Sequence, residues 1–356
     1  HPDLFDCRVA VTAQHREMLD QVLEHFDIAP DHDLNIMAPR QTLTDIAVRA
    51  LAGLEDVAAA EKPDAILVHG DTSTTFLGAL VGFYHKITVG HVEAGLRSFN
   101  KYSPWPEEVN RRLAGVLADL HFAPTDTNRE NLLGEGVRPE SIFVTGNTAI
   151  DALFLTVRKT YRFREKALDR VPVGYRRIIT VTAHRRENWG EPMRRMFSAM
   201  RDLVQEFPDV ELVYPIHKNP AVRDLAEPIL GGRDRVHLIE PLDYPDQVNL
   251  MARSYLVLTD SGGIQEEAPS LGVPVLLMRD TTERPEGVAA GTVRMVGTRQ
   301  EDIFREASLL LSDGSAHQAM ARTANPFGDG RASERIAQAL AYHYGLSAEP
   351  PHHFGS

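Results

Sequence analysis

The sequence contains a single cysteine, Cys7, so no disulfide can form within the chain. It has no run of about 18 apolar residues, which argues against a membrane-spanning helix. It also does not open with a basic segment followed by an apolar one, as a secretory leader does. Cys7 lies in an apolar run, so we expect a buried thiol in a reducing compartment. Together these absences predict a cytoplasmic protein.

Positive charge is also scarce, with 38 Lys and Arg against 50 Asp and Glu, a formal net charge of −12. Such a chain repels polyanions, so neither a nucleic acid nor an anionic membrane is expected as a partner. Several motifs are missing as well: a His-x-x-x-His or cysteine pair for a metal, a Gly-x-Gly-x-x-Gly turn for a dinucleotide, and the Gly-x-Ser-x-Gly elbow of serine hydrolases. We therefore expect no metal and no cofactor.

What the sequence does contain is enough apolar material for two cores, with 43% hydrophobic residues over 356 positions. Short β-rich runs alternate with amphipathic stretches along its length, a pattern typical of βαβ units and parallel sheets. The fold class is therefore α/β, with two doubly wound, Rossmann-like domains.

The strandless, basic stretch Arg158–Arg170 is the predicted linker between these domains. We place an N-terminal domain at residues 1–157 and a C-terminal domain at 158–331. A last helix at 332–346 could pack on either domain, with the N-terminal one favoured. The tail at 347–356 is poor in structure-forming residues, so we expect it to fray.

A strand, a glycine turn and a helix start are predicted around Ser261-Gly262-Gly263. Free backbone N–H groups and the positive end of a helix at such a turn favour a bound diphosphate. Glu267, one helical turn later, could accept hydrogen bonds from ribose hydroxyls, and Arg284 follows the next strand. Alternatively, Ser261 merely caps the helix and no ligand binds there.

Basic residues follow another predicted strand, Ile178–Thr182, in the run His184-Arg185-Arg186. A histidine at a strand end could bind a phosphate oxygen or transfer a proton, and the arginines supply the positive charge that the chain otherwise lacks. A structural role for His184 is the alternative.

Three carboxylates stand near predicted strand ends in the N-terminal half: Asp71, Glu93 and Glu107. Because ligands of open α/β sheets bind outside the carboxyl ends of the strands, Asp71 and Glu93 are expected at one cleft. Neighbouring carboxylates whose pKa values are pushed apart can serve as base and acid. Asp71 could instead cap the following helix, and Glu107 could simply favour a helix start.

Eight runs in order along the chain together resemble the non-hydrolysing UDP-N-acetylglucosamine 2-epimerases. They are Thr12–Leu19, His69–Thr72, His91–Arg97, Pro106–Glu108, Thr145–Asn147, His184–Asn188, Tyr214–His217 and Ser261–Glu267. One family feature is missing, a first strand followed by a Gly-Thr-Arg-Pro-Glu turn. Either the sequence is incomplete at its N-terminus or the polypeptide lacks a central strand.

The resemblance implies two Rossmann-like domains facing a central cleft, as in GT-B glycosyltransferases, usually in a homodimer. It also implies an isomerase that needs neither NAD nor metal and serves polysaccharide biosynthesis. The reaction interconverts UDP-GlcNAc and UDP-ManNAc: the C2 proton is removed, UDP leaves C1 to give a 2-acetamidoglucal, and both are re-added with C2 protonated on the opposite face.

The resemblance further assigns individual residues. The implied catalytic residues are Asp71, Glu93, Glu107 and His184. The implied UDP contacts are His184, Ser261, Gly262, Gly263, Glu267 and Arg284. In some family members a second UDP-GlcNAc activates the enzyme, and the matching positions are Gln14, Arg40, Gln41, Arg185 and His217. A GT-B-type glycosyltransferase and a non-catalytic UDP-sugar-binding protein are the competing interpretations.

Overall fold

The computed structural model describes residues 1–14, 16–38 and 40–355, without the side chains of Glu17 and Met18. Two compact units make up this part of the chain. Unit 1 contains residues 1–151 and 330–356, and unit 2 contains residues 152–329.

Unit 1 is built from short parallel strands and the helices between them. Its strands are β1 Ala10–Val11, β2 His32–Asp33, β3 Ala65–His69, β4 Thr88–Val92, β5 Leu120–Ala123 and β6 Ile142–Val144. Its helices are α1 Arg16–His25, α2 Leu43–Glu61, α3 Ser73–His85, α4 Glu107–Leu117 and α5 Asp126–Gly134. Helix α6, Thr148–Thr156, crosses the division between the units. The strands pair in parallel as two sheets, β1-β2 and β3-β4-β5-β6.

Unit 2 repeats the alternation of strand and helix with a single parallel sheet. Its strands are β7 Arg177–Thr182, β8 Val210–Pro215, β9 Val236–Ile239, β10 Leu256–Thr259, β11 Val275–Leu277 and β12 Val293–Met295. Its helices are α7 Glu191–Glu206, α8 Pro220–Leu230, α9 Tyr244–Met251, α10 Ile264–Ser270, α11 Pro285–Ala290, α12 Gln300–Ser312 and α13 Gly314–Ala321.

The strand order in unit 2 is β9-β8-β7-β10-β11-β12. This is the doubly wound Rossmann order, in which the chain direction across the sheet reverses between β7 and β10. Strand β10 is fully apolar up to Thr259 and buried on both faces, as expected when helices cover both sides of a parallel sheet. Ligands of such sheets bind outside the carboxyl ends of the strands at the reversal point, so a ligand site is expected beyond the ends of β7 and β10.

Helix α14, Ala332–His343, returns to unit 1. The Asp151 carboxylate accepts the N–H groups of Ala332 and Ser333, at 3.0 and 2.8 Å. Along the helix, Ile336 and Leu340 pack with Phe122 of β5. Contacts distant in sequence therefore decide the position of this helix.

The tail does not fray as expected. The Phe354 N–H donates to the Val144 carbonyl at 2.9 Å, and its ring packs against the cluster that contains Leu132. His353 Nε2 also lies 2.9 Å from Asp126 Oδ1, so polar and apolar contacts together hold a segment with no regular structure. The expectation of a buried thiol was also wrong, because Cys7 is exposed.

The stretch predicted as a linker packs within unit 2. The Asp246 carboxylate of α9 accepts the N–H groups of Arg164 and Glu165, and Phe163 packs near Leu168. The basic, strandless composition therefore did not indicate a linker, because the buried Asp246 carboxylate and apolar packing hold this stretch in unit 2.

No helix in the described ranges is long and apolar enough to cross a membrane.

Candidate active site

The ends of β7 and β10 meet in unit 2, where the strand order reverses. His184 follows β7, and Asp260 directly follows β10. The fully buried Asp260 carboxylate accepts the backbone N–H groups of His184 and Arg185, at 3.0 and 2.9 Å. It also accepts from Asn188 Nδ2 at 3.1 Å. One carboxylate therefore ties the loop after β7 to the end of β10.

The His184 imidazole has two close neighbours. Its Nδ1 lies 3.6 Å from Asp260 Oδ1, and its ring stacks on that of His217 with centroids 5.7 Å apart. Burial lowers the pKa of His184, and Arg185 and His217 lower it further, while Asp260 opposes this effect. The side chain is still 41% exposed, so a ligand can reach it.

The glycine turn after β10 differs in detail from the expected capped helix. Helix α10 begins at Ile264 with Gly263 as its N-cap, and no side chain caps it, so Ser261 is not the capping residue. The Ser261 N–H donates to Thr259 Oγ1 at 2.9 Å. Within the described residues the N–H groups of Gly262 and Gly263 have no acceptor. Two donors of this turn are thus available to an anion.

Arg284 lies against the same turn. Its Nη1 atom is 2.7 Å from where a Cβ atom on Gly262 would stand, whereas nothing lies within 4 Å of such an atom on Gly263. The guanidinium is held by ion pairs with Glu266 and Glu283. A side chain at position 262 would therefore require the Arg284 guanidinium to shift.

The Glu283 carboxylate has arginine side chains as its neighbours near this turn. Its carboxylate is 2.9 Å from Arg279 Nη1, 2.9 Å from Arg284 Nη1 and 3.7 Å from Arg185 Nη2. Burial acts to raise the pKa of Glu283, but the charges of Arg284 and Arg279 outweigh it and leave the pKa lowered. Glu283 thus contacts three arginines, while Glu266 pairs with Arg284 and Glu187 lies 3.6 Å from Arg279, so carboxylates balance the positive charge at this turn.

Glu267 lies in the first turn of α10 beside Tyr244. Burial and the neighbouring Glu266 carboxylate raise the pKa of Glu267 to about 7. Tyr244 Oη donates to Glu267 Oε1 over 3.5 Å, and burial raises the pKa of that hydroxyl. The carboxyl group can therefore accept hydrogen bonds from polar groups of a ligand.

In unit 1, Asp71 and Glu93 follow the neighbouring parallel strands β3 and β4. Gly70, at φ +72°, turns the chain between β3 and Asp71, and a Cβ atom there would lie 3.2 Å from Glu93 Oε2. Glu93 itself has φ +65°, an unusual backbone conformation for a non-glycine residue. Asn147 Nδ2 donates to Glu93 Oε1 at 3.3 Å, and His69 Nε2 lies 3.8 Å from Oε2. The two strand ends therefore bring both predicted carboxylates to one edge of the sheet.

Helix α4 supplies the partners of Asp71. Arg111 forms an ion pair with the Asp71 carboxylate, and Asn110 Nδ2 donates to the Asp71 carbonyl at 3.1 Å. Arg111 also contacts the fully buried Glu108 at 3.1 Å. Thr72, not Asp71, caps α3 through its side chain. The capping alternative for Asp71 is thus wrong, and its carboxylate is held by a guanidinium.

Glu107 is the first residue of α4, one turn before the residues that contact Asp71. It is partly buried, and its carboxylate makes no hydrogen bond or ion pair with the described residues. Its position in the first turn agrees with the helix-start interpretation but leaves the carboxylate available for chemistry.

His91, in β4, is buried behind these carboxylates. Its Nε2 lies 2.8 Å from the Gly70 carbonyl, so Nε2 carries the proton. Burial lowers the pKa of His91 to about 4, and the ring is therefore neutral near pH 7. Its hydrogen bond supports the turn that carries Asp71.

The chain resembles known proteins in both sequence and structure. The sequence model of the UDP-N-acetylglucosamine 2-epimerase family matches residues 1–341. The chain belongs to this family. It is 57% identical to the UDP-N-acetylglucosamine 2-epimerase of Bacillus subtilis (strain 168) over 354 residues, which cover 99% of this chain and 92% of the relative.

Two crystal structures extend this similarity to the fold. A candidate UDP-N-acetylglucosamine 2-epimerase from Listeria monocytogenes is 55% identical with a TM-score of 0.93, covering 100% of this chain and 92% of that one. The enzyme of Neisseria meningitidis, bound to UDP-GlcNAc, is 46% identical with a TM-score of 0.83, covering 94% and 91%. The predicted family, isomerase class and GT-B-like fold of two Rossmann-like domains are confirmed.

The positions that match an activator site in some UDP-N-acetylglucosamine 2-epimerases are distributed over both units. In unit 1, Gln14 Oε1 is buried without a partner in the described structure, Arg40 is exposed at φ +59°, and Gln41 Oε1 accepts from Ala38. In unit 2, Arg185 Nε is likewise buried without a partner in the described ranges. His15 and the side chains of Glu17 and Met18, in the matching run Thr12–Leu19, lie outside the described residues.

Sequence reasoning assigned no role to several residues that shape this family's site here. They are Arg111, Asn147, Asp260, Arg279 and Glu283. The position of Asp260, between an apolar strand and a glycine turn, is a sequence feature that indicates a buried carboxylate. No sequence feature indicated a role for Arg111, because its partner Asp71 is 40 residues away. No group of three metal-ligating side chains is found among the described residues.

Proposed function

We propose that this chain interconverts UDP-GlcNAc and UDP-ManNAc by elimination and re-addition of UDP. A carboxylate removes the C2 proton, the C1–O bond breaks, and a 2-acetamidoglucal with a C1–C2 double bond forms. UDP then adds back to C1 while C2 receives a proton on the opposite face. The observation that carries this proposal is the pair of carboxylates, Asp71 and Glu93, at adjacent strand ends.

The proton transfers are assigned to unit 1. Asp71 directly follows Gly70, Glu93 Oε2 lies 3.2 Å from the position of a Cβ atom on Gly70, and Glu107 stands one helical turn from Arg111, the partner of Asp71. A reaction that needs protons removed from one face and delivered to the other requires more than one such group. These three carboxylates meet that requirement without a cofactor.

UDP binding is assigned to unit 2. The N–H groups of Gly262 and Gly263 have no acceptor among the described residues, and Arg284 lies beside Gly262, so a diphosphate at Ser261-Gly262-Gly263 would meet two donors and a guanidinium. The Glu267 carboxylate would accept hydrogen bonds from the ribose hydroxyls. The Neisseria meningitidis enzyme binds UDP-GlcNAc, which supports the same ligand class here.

His184 is assigned to the departing UDP. Protonated, its imidazole stabilises the charge that develops on the diphosphate as the C1–O bond breaks. Its position at the strand reversal, with 41% of the side chain exposed, supports this role.

Incubation with UDP-GlcNAc alone in heavy water tests the proposal. NMR should detect UDP-ManNAc, and deuterium should enter C2 of both sugars as equilibrium is approached. Retention of protium at C2 during epimerisation would rule out proton removal. Binding of UDP without any C2 exchange would instead indicate a non-catalytic UDP-sugar-binding protein.

We also propose a homodimer formed through unit 1. Val109, Leu113 and Val116 recur at helical spacing on α4 and are 37%, 40% and 82% exposed. Phe83 and Tyr84, at the end of α3, are exposed as well. A contiguous apolar face of this kind is typical of a protein interface. Light scattering of Val116→Glu should give a monomer mass where the wild type gives twice that mass.

Activation by a second UDP-GlcNAc is proposed at the positions Gln14, Arg40, Gln41, Arg185 and His217. Gln14 Oε1 in unit 1 and Arg185 Nε in unit 2 are each buried without a partner among the described residues, which supports polar contacts with a ligand at each of these positions. Sigmoidal initial rates that become hyperbolic in Arg40→Ala would support the activator, and hyperbolic wild-type rates would exclude it. A cytoplasmic location and a role in polysaccharide biosynthesis stay predictions from the sequence.

A further inference from the structure

Asp260 is a buried carboxylate for which the proposed mechanism has no use. It is fully buried at the end of β10, and its oxygens accept from His184 N, Arg185 N and Asn188 Nδ2. Three bonds to the loop after β7 would suit a purely structural role. A buried charge is costly, however, and an uncharged acceptor could hold the same backbone groups more cheaply.

The His184 side chain supplies a reason for the charge. Its Nδ1 atom is 3.6 Å from Asp260 Oδ1, the oxygen that also accepts the His184 backbone N–H. This separation is longer than a hydrogen bond, but such contacts are often long in an unliganded site and tighten when substrate binds. A carboxylate facing Nδ1 favours the proton on that nitrogen and leaves Nε2 directed elsewhere.

The charged and titratable groups that face His184 come from three places. Arg185 and Glu187 lie on its own loop, His217 follows β8, and Asp260 follows β10. Arg185 and His217 disfavour an imidazolium, and Glu187 is 54% exposed, so water screens its charge. Asp260 is the buried anion among them and is therefore the strongest support for protonated His184.

We propose that Asp260 is a positioning residue for His184, fixing its tautomer and stabilising its protonated form beside the diphosphate site. Through the His184 and Arg185 N–H groups it sets the loop, and through Nδ1 it orients the ring. Only the kinetic consequence rests on the proposed function, in which the protonated imidazole of His184 stabilises the departing UDP. The tautomer and the His184 pKa are properties of the unliganded protein.

The wild-type protein provides the first test. With ¹⁵N-labelled histidine, the His184 signals can be identified among the 15 histidines by their loss in His184→Gln. Above its pKa, His184 should carry its proton on Nδ1 and not on Nε2. The Nε2–H tautomer would overturn the inference, and this measurement does not depend on whether any Asp260 variant folds.

The second test compares two variants that each remove one carboxylate charge near His184. Asp260→Asn should lower the His184 pKa by about 1 unit or more, because a buried partner is lost. Glu187→Gln, whose carboxylate is exposed on the same loop, should shift it by no more than a few tenths. Equal shifts in the two variants would contradict a special role for Asp260.

The kinetic consequence separates this inference from the proposed function. If protonated His184 assists UDP departure, the alkaline limb of kcat/KM moves to lower pH in Asp260→Asn, and Asp260→Glu restores it in part. An inactive wild type would refute the epimerase while leaving the NMR result for Asp260 intact. An active wild type whose His184 pKa is unchanged in Asp260→Asn would refute the positioning role alone.

Discussion

The Nη1 atom of Arg284 lies 2.7 Å from the point that a Cβ atom on Gly262 would occupy. An alanine at position 262 therefore has to displace the guanidinium from its contact with the turn. We expect Gly262→Ala to weaken UDP binding about 10-fold, the equivalent of one charge-assisted hydrogen bond, measured by calorimetry.

A double-mutant cycle tests whether the loss passes through Arg284. Gly262→Ala combined with Arg284→Ala should bind UDP no more weakly than Arg284→Ala alone, since the displaced contact is already absent. Losses that simply add would mean that the methyl group blocks UDP itself and leaves Arg284 in place.

Asp71 and Glu93 are expected to act in proton transfer, so neutral isosteres should reduce turnover without abolishing UDP binding. Asp71→Asn and Glu93→Gln should each lower kcat at least ~100-fold while the Kd for UDP stays within about 3-fold. Kinetics and calorimetry on the same preparations provide both values.

Glu130→Gln is the matched control, because Glu130 is 68% exposed and pairs only with its neighbour Arg129 among the contacts described for it. Its kcat should equal that of the wild type. If either site variant retains near-normal turnover, its carboxylate takes no part in proton transfer.

Arg111 should be essential for the stability of unit 1. It is 7% exposed and pairs with Asp71 and the fully buried Glu108, so Arg111→Met removes the positive charge that compensates them and leaves Glu108 only its two backbone N–H donors among the described residues. We expect the free energy of unfolding to fall by about 3 kcal/mol in urea denaturation. Its neighbour Arg112 is 52% exposed, 3.6 Å from Glu135, and Arg112→Met should cost less than about 1 kcal/mol. Equal costs would show that burial of the pair is unimportant.

Glu267 should make stability depend on pH in a direction opposite to that of a salt-bridged carboxylate. Its pKa is raised from 4.5 to about 7, so between these values the folded chain holds more protons than the unfolded one. The free energy of unfolding therefore falls as pH rises through this window. Glu267→Gln removes the effect and should be more stable than the wild type by about 3 kcal/mol at pH 8, but not at pH 4.5.

Denaturation curves at several pH values measure this difference. Glu301→Gln, an exposed carboxylate in the first turn of α12, serves as the control and should run parallel to the wild type. A constant offset between Glu267→Gln and the wild type at all pH values would mean that Glu267 is not titrating in this range.

Most strands and helices could be predicted because their signals are local. The sequence pattern predicts a strand at Ala65–His69 and a helix at Pro220–Leu230, and β3 and α8 have these bounds, since an apolar β-branched run or a proline at the helix start determines each. The same kind of pattern predicts a strand at Arg8–Ala13, but only Ala10–Val11 forms β1, because pairing with a partner strand, not propensity alone, decides strand length. Helix α11 was not predicted, since its six residues are too few to establish a period.

For the site, the sequence by itself determined which residues follow which strand, and hence that Asp71, Glu93, His184 and Ser261 stand at strand ends. Chain order and period are enough for that, because parallel strands all end at one edge of their sheet. Only the tertiary structure decided that Arg111 holds Asp71, that Asp260 holds the His184 loop and that Arg284 needs a glycine at 262. These pairs are separated by 40, 76 and 22 residues, and their contacts depend on the packing of side chains from different elements.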